Sequence, residues 1–259
     1  MQHRWCGSNT GARRPALRSN CYNPQGAPAQ QPAFLYSLTP VASPGSAPER
    51  LEPRLAAQIP LGPRFTLVAG GGFAPQDPSV RARASGAVEL LANVVPAGSR
   101  GFATFGLGGM LDYTGSAVAL GRVTAGLRGP QWEVAGNLRL ERSLNRRLAA
   151  ASARRDALDV ITSVGVSRRF GRGGPLRVGL EAVGEDLEGI FDPNEAEGGA
   201  KLMLGPTVAI APSARWQLVV GGGPVLHLSH SLVTGGSSVP RDLITRSGYV
   251  IRSSVGYTW

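Results

Sequence analysis

The chain has 259 residues, of which 36 are Gly and 20 are Pro, and only 17% are charged. That length suits one or two soluble domains or one large all-β domain, and Gly at about twice its usual share argues against a helical bundle. No run approaches the ~18 consecutive apolar residues of a membrane helix, and the glycines lack the period of three that collagen requires.

The formal net charge is +10, which raises nucleic acid as a partner. The positive charge is almost all arginine, Lys201 being the single lysine. These arginines are scattered between hydrophobic positions. No zinc-finger spacing, aromatic–basic RNA-binding motif or helix-turn-helix pattern accompanies them, so no nucleic-acid partner is expected. Cys6 and Cys21 are the only cysteines; they could pair in an oxidising compartment but cannot build a zinc site.

Residues 1–32 contain Arg4, Arg13, Arg14 and Arg18, no acid and no periodic apolar pattern. They read as a disordered extension, without the apolar h-region of a secretory signal peptide. Residues 33–259 read as one domain. Its first segment, 33–42, sets Phe34, Tyr36 and Leu38 in phase. Two-fold alternation continues through 51–59, 65–73, 80–94, 102–113 and 116–127. In 132–141, Trp132, Val134, Leu138 and Leu140 oppose Glu133, Asn137, Arg139 and Glu141. In 158–170, Leu158, Val160, Val164, Val166 and Phe170 oppose Asp159, Ser163, Ser167 and Arg169. The segment 176–185 sets Leu176, Val178, Leu180 and Ala182 against Arg177, Glu181 and Glu185. Further strands fall at 202–210, 216–230 and 243–259. A period of two over this length is a β-strand with one apolar and one polar face. Twelve strands result; omitting 33–42 would leave eleven, odd for a closed antiparallel sheet of this kind.

The connections form two alternating classes. Those at 60–64, 96–100, 129–131, 171–175 and 212–215 are short. Those at 43–50, 74–79, 144–156, 186–199 and 231–242 are longer and more polar, with a tight exception at 113–116. Short turns at one end and long loops at the other are the habit of a membrane barrel. Alternation alone fits a soluble barrel equally, with apolar residues inside. Strand length separates the two, because ~9–11 residues are needed to cross a bilayer tilted whereas soluble strands more often have ~5–6.

The last segment ends Ser253-Ser254-Val255-Gly256-Tyr257-Thr258-Trp259, with Val255, Tyr257 and the terminal Trp259 on one face. Here the chain resembles bacterial outer-membrane β-barrel proteins of the porin-like kind. These end in an amphipathic strand with a terminal aromatic, read by the barrel-insertion machinery; the glycine usual in that signal would fall at Ser254. The resemblance implies a transmembrane antiparallel up-and-down β-barrel of about 12 strands in the bacterial outer membrane. It implies outer-membrane lipid and the barrel-assembly machinery as partners. Phe65, Phe73, Phe102, Tyr113, Trp132, Phe170 and Trp216 would supply thin aromatic girdles.

One local arrangement looks catalytic. His227-Leu228-Ser229-His230 resembles the His-x-Ser pair that outer-membrane phospholipases and lipid A deacylases carry on a strand, where imidazole could serve serine as general base. Those families have asparagine where His230 stands. Parity also puts His227 and Ser229 opposite Leu226 and Leu228, towards the lumen and away from lipid. His227 and His230 cannot both ligate a metal, since i and i+3 on a strand face opposite ways. The acidic stretch holding Asp192, Glu195 and Glu197 offers a calcium candidate, although its spacing matches no defined calcium loop. The Gly-rich stretches lack the Lys-Ser/Thr of a phosphate loop, and no cofactor is expected.

The inward parity is the place expected to carry function. It collects Arg54, Arg81, Arg83, Arg122, Arg128, Arg139, Arg169, Arg177, Lys201, Arg246 and Arg252 against Glu52, Glu89, Glu133, Glu141, Asp159, Glu181 and Glu185. That is an excess of four positive charges over cross-strand pairs. The expected function is a non-catalytic barrel, either a narrow channel for small solutes with mild anion preference or a structural barrel. The alternatives are a barrel-embedded lipid hydrolase using His227 and Ser229, and a soluble β-sandwich binding module.

Overall fold

The computed structural model describes residues 33–42, 50–73, 84–95, 99–111, 117–144, 158–171, 174–191, 199–229, 243 and 248–258. The strands are β1 (Ala33–Ala42), β2 (Arg50–Pro60), β3 (Phe65–Phe73), β4 (Ala84–Asn93), β5 (Gly101–Leu111) and β6 (Ala117–Arg128). They continue as β7 (Trp132–Ser143), β8 (Asp159–Arg169), β9 (Leu176–Glu185), β10 (Lys201–Ile210), β11 (Trp216–His227) and β12 (Gly248–Thr258). Each pairs antiparallel with its neighbour in sequence. β1 also pairs with β12, Ala33 opposite Thr258, and this closes the wall. Closure leaves no sheet edge, which is what a β-structure needs in lipid. The short segment 33–42 is thus the strand that completes the barrel.

Carrying the register once around the wall displaces it along the chain by about 14 residues, which inclines the strands by about 40° to the axis. A backbone radius of about 12 Å follows from strand number and tilt.

The alternation places charge inside and apolar groups outside. On β9, Leu180 is 57% exposed and its neighbour Glu181 only 4%. Leu107, Leu138, Val164, Leu204, Val220 and Ile251 repeat the outward pattern on six other strands. Soluble monomers rarely expose apolar patches above a few hundred Å², and here the apolar surface runs round the described wall. This reverses the soluble-barrel pattern, and the β-sandwich alternative fails on closure.

The five short turns gather at one end with Ala33 and Thr258. There a backbone amide near the end of one strand donates to the residue preceding the next hairpin's strand. Asn93 donates to Arg64, Arg128 to Arg100, Arg169 to Gln131, Ala211 to Pro175 and Thr258 to Arg215, at 2.7–2.9 Å. Outward aromatics Phe65, Trp132, Phe170 and Trp216 ring this end, and Trp216 packs on Tyr257 with centroids 4.9 Å apart. Phe102 does not join the girdle. It shares parity with Thr104 and points inward, 7% exposed, under the Arg128 guanidinium at 4.3 Å. Tyr113 and residues 1–32 lie outside the described residues.

Candidate functional site: the charged barrel interior

The interior is crossed by ion pairs that span strands. Arg122 on β6 donates through Nε and Nη2 to both carboxylate oxygens of Glu89 on β4, at 2.8 and 2.6 Å. β5 lies between them, and its inward positions there are Gly106 and Gly108. A Cβ on Gly106 would stand 2.6 Å from Leu91 Cδ2 and 3.3 Å from Arg122 Cβ; one on Gly108 would stand 2.7 Å from Glu89 Cγ. Glycine at both positions is what lets the fork close over β5.

Nearer the turns, Glu133 on β7 sits between two arginines. Arg177 on β9 donates to its Oε2 at 3.1 Å, and Arg128 approaches Oε1 at 3.6 Å. The same Arg177 nitrogen reaches Ser167 Oγ at 3.1 Å, so four consecutive strands share one network. Arg139 pairs with Glu141 on its own strand at 2.8 Å. Arg252 on β12 reaches past β11 and β10 to Glu181 on β9, at 3.3 Å, and lies 3.5 Å from Met203 Sδ. Buried pairs of this sort fix geometry more surely than they add stability.

Towards the loop end the β9–β12 side is packed shut. Val183, Met203, Val225, Leu243 and Val250 form an apolar cluster with exposures of 0–2%. Leu243, between β11 and β12, turns inward and donates its amide to Glu185 Oε2 at 2.9 Å. Lys201 and Asp186, both fully buried, pair at 3.3 Å. Asp186 takes a left-handed backbone, φ 54°, and swings the chain into the 3-10 turn Leu187–Ile190. Glu188 then accepts from the Val160 amide at 3.1 Å. Carboxylate oxygens of Asp159, Asp186 and Glu188 come within 4.8 Å of one another. The sequence places Asp186 and Glu188 in the polar connection 186–199; the left-handed backbone at Asp186 turns them back against the barrel wall. The Lys201 ammonium already supplies positive charge to this group.

Towards the loop end the inward positions on β2–β4 are smaller: Ala56, Gly70, Gly72, Ser85 and Ala87 beside Arg54. A cavity of about 550 Å³ in this part of the wall is lined by residues of both parities, inward Arg54 and Ala56 together with outward Leu55 and Phe73.

The remaining sequence-derived candidates fall as follows. Glu89, Arg122, Glu133, Glu141, Asp159, Arg177, Glu181, Lys201 and Arg252 are buried, and Arg139 and Arg169 are partly so. Arg81, Arg83, Arg246, Trp259, His230, Asp192, Glu195 and Glu197 lie outside the described residues. His227 stands opposite Lys201 on the inward face. Ser229 lies just beyond the end of β11, where its hydroxyl accepts the Ala200 amide at 2.9 Å. That hydroxyl helps pin the strand end, and the pair stays away from the lipid face.

No family model and no curated protein matches the sequence. Among solved structures the chain is similar to the NanC porin, with a TM-score of 0.57 at 8% identity over 88% of this chain and all of that one (100%). It is similar to the KdgM porin, TM-score 0.53 at 11% identity, over 88% of this chain and 99% of that one. KdgM in complex with disordered oligogalacturonate gives a TM-score of 0.55 at the same identity. The fold is that of an outer-membrane porin. At such identities the likeness is one of fold.

Proposed function

We propose that this chain is a non-catalytic barrel of a bacterial outer membrane that conducts small solutes through a narrow lumen. The observation that carries the reading is the contrast inside the barrel towards the loops: the β9–β12 side is filled by an apolar cluster, while the inward positions on β2–β4 are Ala56, Gly70, Gly72, Ser85 and Ala87 beside Arg54. Porin-type neighbours support a channel over an enzyme, and the structural use of Ser229 counts against hydrolysis.

A mild anion preference is part of the proposal, and its source is the turn end. Eight inward cations are described against six inward carboxylates on the strands, and buried Asp186 adds a seventh. The middle and loop end are nearly neutralised. Near the turns the inward cations are Arg128, Arg169 and Arg177, and the one described carboxylate there is Glu133, which Arg128 and Arg177 approach. A surplus there, inside a low-dielectric wall, focuses its field on entering ions. Single-channel conductance of refolded protein in a planar bilayer tests the reading. A second reading, a closed structural barrel, draws on the fully buried Lys201–Asp186 pair, and the same recording separates it.

A further inference from the structure

The connection between β11 and β12 enters the barrel at Leu243. Its side chain is 2% exposed and packs with Val183, Met203, Val225 and Val250, which stand on β9, β10, β11 and β12. These four face inward: Val183 is two residues from Glu181, Met203 two from Lys201 and Val250 two from Arg252, and Val225 lies opposite Met203 in register. Each is also two residues in from the loop end of its strand. Two residues of a tilted strand amount to about 5 Å along the axis. Leu243 therefore sits inside the mouth, below the strand ends.

The backbone is held there as well. The Leu243 amide donates to Glu185 Oε2 at 2.9 Å. Glu185 belongs to β9, and β10 lies between β9 and β11. Neighbouring strands are about 4.8 Å apart, so the carboxylate that holds Leu243 comes from a strand about 10 Å around the wall from β11. A connection that rose above its own hairpin would not meet it. Glu185 is fully buried, and a buried carboxylate needs donors. Lys201 stands opposite it in register and pairs with Asp186; the Leu243 amide gives Glu185 a charge-assisted hydrogen bond. The apolar seat and the carboxylate thus fix the same point of the chain by two different interactions.

Building on the channel reading above, we propose that Leu243 is a wedge that narrows the loop-end mouth of the barrel, and that Glu185 is the positioning residue that latches it there. The bulk of the wedge limits the width of the mouth on the β9–β12 side, and the latch keeps the wedge on its seat.

Two measurements on the refolded full-length protein test this. In planar bilayers, L243A should enlarge the conductance step by about 1.5-fold or more, because a wider mouth passes more ions. An unchanged step would overturn the wedge. The latch is read without any channel, by thiol labelling of C6S/C21S/L243C, in which the one thiol stands at the wedge. A water-soluble thiosulfonate should label the folded protein about tenfold or more slowly than the unfolded chain. Adding E185V should raise that rate by about tenfold or more, since a buried hydrogen bond to a charged group is lost. Adding E185Q should keep labelling slow, because the glutamine side chain still offers an oxygen to the amide at position 243. Fast labelling with Glu185 in place, or equal rates in the E185V and E185Q forms, would overturn the latch. Should E185V fail to fold, the labelling rate with Glu185 in place and the L243A conductance still decide. A native barrel that conducts nothing while Glu185 protects the thiol would defeat the channel reading and leave the latch standing.

Discussion

Arg252 and Glu181 belong to strands that do not touch, yet their side chains meet at 3.3 Å across β10 and β11. Gly205 lies opposite Glu181 and Gly221 opposite Arg252, both inward, so the chord runs over a floor without side chains. Removing one partner leaves a charge in a poorly hydrated place. Arg252→Met should cost roughly 3 kcal/mol, while the double change R252M/E181L should come within about 1 kcal/mol of the native barrel. Urea midpoints read from the folded, fast-migrating gel band measure both. Equal loss in the single and double variants would mean that the pair contributes nothing specific.

The glycine at position 106 should be as demanding as the ion pair above it. Gly106→Ala places a methyl group 2.6 Å from Leu91 Cδ2, and crowding of this kind costs about 1–3 kcal/mol. Gly109→Ala is the control, since its nearest neighbour would be Val118 O at 3.7 Å on the outward side. Unfolding of the two variants side by side should show a loss only at position 106.

Orientation of the wall predicts a difference between adjacent positions. An arginine at Leu138, Leu180 or Leu204, outward and near mid-strand, should cost roughly 2–4 kcal/mol in a bilayer. The same change at inward Asn137 or Thr207 should be mild. Folding titrations into lipid vesicles compare them, and equal costs on the two parities would reverse the assigned faces.

Much of this was legible from period alone. Two-fold alternation located most strands to within one or two residues, because one face meets lipid and the other does not; 80–94, 216–230 and 243–259 run three to five residues past one end of β4, β11 and β12. Even 33–42, marked only by Phe34, Tyr36 and Leu38, is the closing strand. Contacts between strands were less legible, since alternation gives faces and not register. Nothing local in the sequence announces that Arg252 reaches Glu181. Phe102 was placed in the girdle because it is aromatic and close to a strand end, but its parity with Thr104 turns it inward. Asp186 and Glu188 looked like solvated loop acids; a single left-handed residue folds them back against Lys201 and Asp159.

The carboxyl terminus should matter more to assembly than to stability. Tyr257 packs against Trp216 on the outer face, an interaction that adds lipid-facing area but little that the rest of the wall lacks. Replacing Tyr257 and Trp259 by Ala should block insertion in cells while refolding into detergent proceeds. Surface assembly of the variant at native levels would remove the terminal aromatic alternation as an insertion signal.

Planar-bilayer recording of the refolded barrel bears most directly on the account. It should show discrete conductance steps whose reversal potential in a salt gradient reports a moderate anion preference at about 0.1 M salt. That preference should shrink near 1 M, as the Debye length falls from about 10 Å to about 3 Å. Cation preference at low salt would contradict the charge arrangement at the turn end. A correctly folded barrel that conducts nothing would contradict the channel itself.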